Sequence, residues 1–313
     1  MSDIKLFRFG EQVCELEGRA AVVEKQLQSL IERQMADFLG VRFLASEYTT
    51  GKTHKGRIDS LGLDENGCPV IIEYKRYSNE NVINQGLFYL DWLLDHQAEF
   101  RWLVMEKLGR DAADSIEWFG TRLLCIAGDF TRYDQHAVQQ INRNVELIRY
   151  RLFGDDLLML ELVNAVTATP VRAEADAPVS QSIDDLACSK IRKDDSQQTR
   201  LEDAPEWLQT LYEQVCGFID SLGDEVQRKE LKLYTAFRRL RNFACVQICS
   251  PQRDPHLRLY LDLLPAGVTP LDGITRDVSQ IGHWGTGDLE LTIRNSDDWE
   301  KAKSLVTRAY EGI

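Results

Sequence analysis

The segment from Gly56 to Arg76 constrains the fold more than any other part of the chain. Its sequence, GRIDSLGLDENGCPVIIEYKR, has two strand-like runs on either side of the polar turn Asp-Glu-Asn-Gly. This pattern predicts a β-hairpin, with Gly67 free to adopt the positive φ that such a turn favours. Side chains alternate between the faces of a strand, so Glu73 and Lys75 share a face, and the hairpin brings Asp59 beside them. Two carboxylates and an ammonium group are therefore expected to converge.

This group of charges predicts a divalent metal site. Two carboxylates held together repel each other unless a cation lies between them. Oxygen ligands suit Mg²⁺ (or Mn²⁺), and Mg²⁺ commonly takes only one or two protein carboxylates. A cation there would polarise a phosphate oxygen and lower the pKa of an attacking water, which the lysine would orient. These are the groups that hydrolysis of a phosphodiester needs, although Glu-x-Lys on a strand is also common on an ordinary solvated face.

A helix predicted over residues 79–98 follows the hairpin and carries Gln85 and Tyr89 on one face. With this pair the segment resembles the PD-(D/E)XK nuclease superfamily, and among its members it looks most like the NucS-type endonuclease domains. The matching motifs are Ile58-Asp59 for Pro-Asp, Glu73-Tyr74-Lys75 for Glu-x-Lys, and Gln85 with Tyr89 for the Gln-x-x-x-Tyr of RecB-like members. Proline is absent before the aspartate, a departure that many members share.

The resemblance implies an α/β fold with an αβββαβ core and a metal-dependent DNA endonuclease activity. The predicted elements fit this order, with strands at 41–48, 121–127, 145–153 and 157–162, the hairpin, and a short helix at 135–142. The implied catalytic residues are Asp59, Glu73, Lys75, Gln85 and a glutamate of the first helix. The implied ligands of Mg²⁺ or Mn²⁺ are Asp59, Glu73 and the carbonyl oxygen of Tyr74.

The region from Arg19 to Leu39 is predicted to be the first core helix, because its apolar residues recur at helical spacing and Gly40 follows as a C-terminal cap. Relatives of the nuclease fold often place a glutamate of this helix beside the metal. Glu24 is the candidate, since the helical period puts it about 20° from Ile31 and so within the apolar stripe. Glu32 lies nearer the stripe's edge and is the second choice. A surface position for Glu24 is the alternative.

A basic segment precedes the first aspartate of the site. The net charge of −13 argues against a surface that binds DNA everywhere, so a local patch is needed. No acidic residue lies between Glu47 and Asp59. The residues expected to contact nucleic acid are Lys52, Lys55, Arg57, Arg76 and Tyr89. A solvated basic loop without a partner is the alternative.

Composition indicates a globular protein without a membrane segment. The chain has 313 residues, 43% of them apolar and 28% charged, which is enough for one large or two ordinary domains. The first ten residues do not resemble a signal peptide, and no apolar run approaches the ~18 residues of a membrane span. We therefore expect a cytoplasmic location and no membrane contact. The seven cysteines include no Cys-x-x-Cys pair and predict neither a disulfide framework nor a zinc site.

Two domains are predicted, a nuclease-like domain at residues 1–165 and a small α+β domain at residues 204–313. Between them, residues 166–203 lack hydrophobic periodicity and are predicted to be a flexible linker. The second domain should begin with a helix capped by Asp203 and end with a helix at 298–310. Its strands are predicted at 231–238, 242–248, 257–263 and 288–293. The domain resembles an uncharacterised domain of the "predicted transport protein" type that is found attached to nuclease domains, and no activity follows from that resemblance.

The second domain contains a basic cluster of Arg238, Arg239 and Arg241 among aromatic residues. Such a cluster could bind nucleic acid by charge and stacking, whereas exposed arginines at the end of a strand are the commoner explanation. Nucleic acid, a protein partner or a second copy of the chain all stay open as partners of this domain.

The sequence as a whole predicts a metal-dependent endonuclease acting on DNA, in repair or in defence against foreign DNA. The alternative is a catalytically inactive nuclease fold that binds nucleic acid or protein. One such site cuts one strand, so cleavage of both strands would indicate a homodimer.

Overall fold

The computed structural model describes residues 4–10, 12–51, 55–77, 81–166, 196–249, 254–281 and 286–312. The strands are β1 (Leu6–Arg8), β2 (Cys14–Leu16), β3 (Gly18–Arg19), β4 (Val41–Thr49), β5 (Arg57–Asp64), β6 (Pro69–Lys75), β7 (Arg122–Ala127), β8 (Asn144–Phe153), β9 (Leu157–Val166), β10 (Gln227–Glu230), β11 (Thr235–Arg238), β12 (Asn242–Cys249), β13 (His256–Leu261), β14 (Thr275–Asp277) and β15 (Leu289–Ile293). The α-helices are α1 (Glu24–Arg33), α2 (Met35–Leu39), α3 (Asn81–Asp95), α4 (Gln97–Leu108), α5 (Arg110–Asp114), α6 (Arg132–Gln139), α7 (Gln197–Glu202), α8 (Glu206–Asp220) and α9 (Ser296–Glu311).

The first unit of the chain, up to the end of β9, is built on a mixed sheet with the order β3-β8-β7-β6-β5-β4, and β9 pairs with β8. The predicted hairpin is confirmed: β5 and β6 are antiparallel, and Gly67 in the turn has a φ of 75°. Strands β6, β7 and β8 run parallel. Because parallel strands end at the same edge of a sheet, the residues after Ile72 lie at one edge of the sheet and the residues before Val70 at the other.

Helices cover both faces of this sheet. Alternate residues of β6 point to opposite faces, so Ile71 joins the core under α3 and α4, whereas Val70 and Ile72 join the core under α1 and α2. Leu27 and Ile31 of α1 are at most 1% exposed. Because both faces of the sheet are covered, the central strands read as continuous apolar runs. Burial of each side chain of this size contributes about 1.5–3 kcal/mol to the stability of the fold.

Three helix boundaries differ from those predicted. The first helix begins at Glu24 instead of Arg19, because Gly18 and Arg19 pair with β8 as strand β3. It also breaks at Gln34, where α2 begins. The long helix predicted over residues 79–98 is two helices, α3 and α4, whose junction is His96. In the first case, strand pairing overrides a helical pattern that continues in the sequence.

The second unit consists of a six-stranded antiparallel sheet within the described residues, in the order β10-β11-β12-β13-β15-β14, with α8 and α9 packed on one face. Of the strand predicted over 231–238, only Thr235–Arg238 form a strand, β11. Residues 231–234 are instead the turn that joins it to β10, and in this turn Leu231 N donates to Tyr234 O. The predicted linker also requires correction at its end. Residues 197–202 form α7, and Gln197 is buried and hydrogen-bonded to β12 through Val246 and Ile248. Residues 167–195 of the predicted linker lie outside the described residues.

The two units touch along what we call the seam, where the turn between β5 and β6 meets the start of β12. The backbone N–H of Asn242 donates to Glu65 Oε2 at 2.8 Å, and Asn242 Nδ2 donates to Asn66 Oδ1 at 2.7 Å. Burial raises the pKa of Glu65 to about 7, although the Asn242 hydrogen bond and the charge of Arg241 oppose the shift. A carboxylate that is costly to ionise therefore lies at the seam.

This shift predicts that replacing Glu65 by glutamine changes how stability depends on pH. Between the ordinary pKa of 4.5 and the folded pKa of about 7, the folded protein binds more protons than the unfolded chain, so its free energy of unfolding falls as pH rises. Between pH 5 and pH 7.5, this fall in the free energy of unfolding should be on the order of 2 kcal/mol in the parent chain, and it should be absent from Glu65→Gln. Urea unfolding at both pH values measures it, with the exposed Glu213→Gln as control. An unchanged pH dependence in Glu65→Gln would contradict the prediction.

Among the described residues, no helix combines the length and the apolar composition that crossing a membrane requires.

Candidate functional site

The candidate site lies where β5 and β6 stop pairing. Their register ends at Ser60 opposite Ile72, which places Asp59 and Glu73 next to each other beyond it. Asp59 N donates to Glu73 Oε1 at 3.2 Å, and Tyr74 N donates to Asp59 Oδ2 at 3.0 Å. Glu73 is completely buried and Asp59 is partly buried. Two acidic side chains thus meet at the edge of the sheet where β6 ends.

Burial and mutual repulsion make both carboxylates hard to ionise together. Burial and, to a lesser extent, the negative charge of Asp59 raise the pKa of Glu73 to about 9. Burial also raises the pKa of Asp59, while the hydrogen bond from Tyr74 N and the charge of Lys75 oppose that shift. At neutral pH the pair therefore needs either a proton on Glu73 or a cation beside it.

Lys75 supplies a positive charge close to this pair. Its side chain is 14% exposed, its Nζ lies 3.6 Å from Glu24 Oε2, and its charge lowers the pKa of both Asp59 and Glu73. The expected convergence of Asp59, Glu73 and Lys75 is thus present in the structure. Their chemical roles are taken up below.

Glu24 lies in the site by a different route from the one expected. Its side chain is 49% exposed and does not lie in the apolar stripe, whose buried residues in α1 begin only at Leu27. Glu24 nevertheless pairs with Lys75, and Arg76 N donates to its Oε1 at 3.3 Å. The helical phase was wrong, and the proximity to the site comes from the end of β6.

Gln85 and Tyr89 of α3 reach the site from the opposite face of the sheet to α1. Gln85 Nε2 donates to Glu73 Oε2 at 2.9 Å, so both oxygens of the buried glutamate are held. The Tyr89 hydroxyl accepts from Arg57 N at 3.2 Å, and the residue is 6% exposed. This buried position makes Tyr89 a support of β5 and argues against the expected direct contact with nucleic acid.

Gln28 is a residue of the site that sequence reasoning missed. The residue is buried, with 4% exposed. Its Nε2 lies within hydrogen-bond distance of the carbonyl oxygen of Asp59 at 2.7 Å, of Glu32 Oε1 at 2.9 Å and of Ser46 Oγ at 3.1 Å. Ser60 Oγ also donates to Glu32 Oε1, at 2.7 Å. The available signal was a glutamine between Leu27 and Ile31 on the buried face of the helix. Glu32, the second choice, thus lies beside the backbone of the site.

The expected basic rim is only partly described. Lys52 lies outside the described residues, and Lys55 is exposed with a φ of 50°. Arg57 is 65% exposed and forms an ion pair with Glu47. Arg76 lies partly buried, with its guanidinium 4.7 Å from the ring centre of Tyr77.

Glu47 is a second acidic neighbour that the sequence did not single out. It has a φ of 56°, in the left-handed region that non-glycine residues rarely adopt, and its negative charge raises the pKa of Asp59. Ion pairs with Lys25, at 2.9 Å, and Arg57 hold its side chain. Backbone strain of this kind is often concentrated near functional sites.

The donor groups fit a divalent cation of the Mg²⁺ type. Across the described residues, no three His, Cys, Asp or Glu side chains lie together as a complete metal-binding group. Two buried carboxylates are nevertheless adjacent and lack a full compensating charge. Mg²⁺ accepts such a partial protein set, because it retains several waters, and the carbonyl oxygen of Tyr74 is the expected third protein ligand.

Comparisons with known proteins give three kinds of similarity. The family model described as "Domain of unknown function (DUF5655)" matches residues 198–312, beginning within α7. A protein of Haemophilus influenzae described as "Uncharacterized protein" is 27% identical over 303 residues, which are 96% of this chain and 97% of that protein.

Two solved structures are also similar to part of the chain. One is the "crystal structure of a repair endonuclease from Pyrococcus abyssi", with 16% identity and a TM-score of 0.28 over 46% of this chain. The other is the "Structure of EndoMS-dsDNA2 complex", with 15% identity and a TM-score of 0.25 over 47% of this chain. The match spans 64% of the length of each solved chain.

Proposed function

We propose that this protein is a metal-dependent endonuclease that hydrolyses phosphodiester bonds in DNA. The observation that carries the proposal is the contact between the partly buried Asp59 and the buried Glu73, with the Lys75 ammonium beside both. A structural role explains this group poorly, because burying two adjacent carboxylates costs free energy that an apolar pair would not. Perturbed acidic residues at the edge of a sheet are typical of functional sites.

Asp59 and Glu73 would hold Mg²⁺ or Mn²⁺ together with the Tyr74 carbonyl oxygen. When bound, the cation supplies Lewis-acid polarisation of the phosphate and lowers the pKa of a water. Gln85 would keep the Glu73 carboxylate oriented, since it donates to the oxygen that Asp59 N leaves free. Gln28 would fix the backbone of Asp59 from the other face of the sheet.

Lys75 would position the attacking water and stabilise the negative charge that develops on the phosphate. Its Nζ lies 3.6 Å from Glu24 Oε2, and this ion pair would hold the ammonium beside the site. Lys55, Arg57 and Arg76, with Lys52 of the same basic segment, would contact the DNA backbone. A basic rim beside an acidic centre is the expected arrangement, because the rim neutralises phosphates while the centre holds the cation.

The decisive experiment incubates the purified full chain with single-stranded, double-stranded, branched and mismatched DNA in Mg²⁺, Mn²⁺ or EDTA. We expect cleavage of at least one substrate with metal and none with EDTA. Asp59→Asn should abolish that cleavage, whereas Asp91→Asn, a change to an exposed aspartate of α3, should not alter it. DNA binding without cleavage in either metal would instead favour the inactive, nucleic-acid-binding alternative and overturn the proposed activity.

A further inference from the structure

A network of buried charges occupies the centre of the seam. Arg122, the first residue of β7, is 2% exposed and donates through Nη1 to Asp64 Oδ2 at 2.9 Å. The same guanidinium forms two parallel hydrogen bonds to Glu146, at 2.9 and 3.0 Å. Asp64 and Glu146 are 2% and 1% exposed. Within the first unit, this pocket therefore holds one cation and two anions.

Arg238 of the second unit brings a further positive charge to this network. Its Nη2 donates to Glu146 Oε1 across the seam and to Gln227 Oε1 at 2.8 Å, and the residue is 4% exposed. Burial alone would raise the pKa of Glu146, but Arg122 and Arg238 lower it to about 2. The expected exposed arginine at the end of a strand is thus a buried residue that balances charge in the other unit.

Further polar contacts surround this network and also cross the seam. The Tyr234 hydroxyl donates to Asn66 Oδ1 at 3.1 Å, and Lys229 Nζ donates to Gly120 O at 3.1 Å. Asn66, Lys229 and Tyr234 are at most 7% exposed. Separating the two units would leave these buried groups without their present partners. The loss of a hydrogen-bond partner costs more free energy for a buried polar group than for an exposed one.

The seam lies at the opposite edge of the sheet from the candidate site. Val70 is level with Arg122 and Asn144 in the parallel register, whereas Glu73 is level with Cys125 and lies about 10 Å further along β6. The second unit therefore packs at the start of the parallel strands and leaves the edge that carries Asp59, Glu73 and Lys75 uncovered by the seam.

We propose that the second unit is a permanently docked brace of the first unit, held by the Glu146–Arg238 pair, and that it stays bound when the connecting chain is cut. The partner of this surface is thus the C-terminal unit of the same chain. The inference does not depend on the proposed endonuclease activity, because none of its residues lies in the candidate site.

The test uses the full chain with a specific protease site inserted between residues 167 and 195. After complete cleavage, the two fragments should elute together in gel filtration at micromolar concentration, with the mass of the intact chain in native mass spectrometry. Elution as two separate fragments would overturn the proposal.

Variants then test the charge pair itself. Arg238→Gln leaves Arg122 as the one guanidinium bonded to Glu146, so the cleaved fragments should separate and the melting temperature of the uncut chain should fall by roughly 6–10 °C. Glu146→Gln combined with Arg238→Gln removes one negative and one positive charge together, and should recover part of the association and of the melting temperature. Arg239→Gln is the matched control, since Arg239 contacts Glu225 and Tyr310 within the second unit and should leave both measurements unchanged.

Two further outcomes would contradict the role of the pair. Fragments of Arg238→Gln that remain as tightly associated as those of the parent chain would show that the ion pair does not hold the seam. A double variant no better than the single one would show the same, even where Arg238→Gln folds poorly.

Discussion

Replacing Lys75 by alanine is expected to lower the rate of DNA cleavage about 10²–10³-fold while metal binding is retained. A protonated lysine cannot ligate a cation, so its contribution is to the attacking water and to the charge that develops on the phosphate. Lys75 also lowers the pKa of Asp59 and Glu73, so its removal raises both pKa values but also takes away a positive charge that repels the cation. Because these two effects on the metal oppose each other, binding of Mn²⁺ should be retained.

Single-turnover cleavage and calorimetric titration with Mn²⁺ measure these two effects separately. Lys107→Ala, which changes an exposed lysine in the last turn of α4, is the matched control and should alter neither quantity. If Lys75→Ala loses Mn²⁺ binding, the lysine is needed to assemble the site, and the assignment of a purely electrostatic role is wrong. If cleavage continues at the parental rate, Lys75 is not part of the chemistry.

Replacing Glu73 by glutamine should have two opposite effects. The neutral amide offers one weak oxygen to a hard cation and removes a full charge, so metal binding should be lost. In the absence of metal, however, the variant should be more stable than the parent by on the order of 2 kcal/mol at pH 7, because it removes the cost of burying an acid beside Asp59. The carboxylate that binds the metal would then be one that destabilises the metal-free fold.

Thermal unfolding in EDTA and in excess Mn²⁺ checks both effects in one experiment. In the parent chain, Mn²⁺ should raise the melting temperature, since a ligand that binds only the folded state stabilises it. Glu73→Gln should melt at a higher temperature than the parent in EDTA and show no response to Mn²⁺. The exposed Glu106→Gln of α4 should behave as the parent does. A variant that melts lower in EDTA, or that still responds to Mn²⁺, would refute the ligand assignment.

Local pattern predicted the centre of the site well and its surroundings poorly. The hairpin follows from alternation and a four-residue turn, and these place Asp59, Glu73 and Lys75 without any knowledge of the rest of the chain. The position of Glu24 was wrong because Gly18 and Arg19 pair with β8, and the helix that was predicted from Arg19 begins only at Glu24. The role of Gln28 depends on a contact 31 residues away, to the backbone of Asp59, which no helical periodicity encodes.

The contacts of the seam could not be predicted from local sequence patterns. Arg238 looked like an exposed strand end because its partner, Glu146, is 92 residues away and reads as one polar position in an apolar strand. Likewise, the turn residue Asn66 meets Tyr234 at a separation of 168 residues. Composition predicts that a turn is polar, but it does not distinguish a turn that faces water from one that faces another sheet.

The long sequence separation across the seam also has a consequence during synthesis on the ribosome. The first unit is complete in sequence at the end of β9, yet the residues that balance and cover its buried charges end at Asn242, about 75 residues later. At 5–20 residues per second, this delay is roughly 4–15 s. Throughout that interval the nascent first unit exposes Asp64 and Glu146 at an uncovered surface, where excess negative charge would favour hydration and discourage association with other apolar chains.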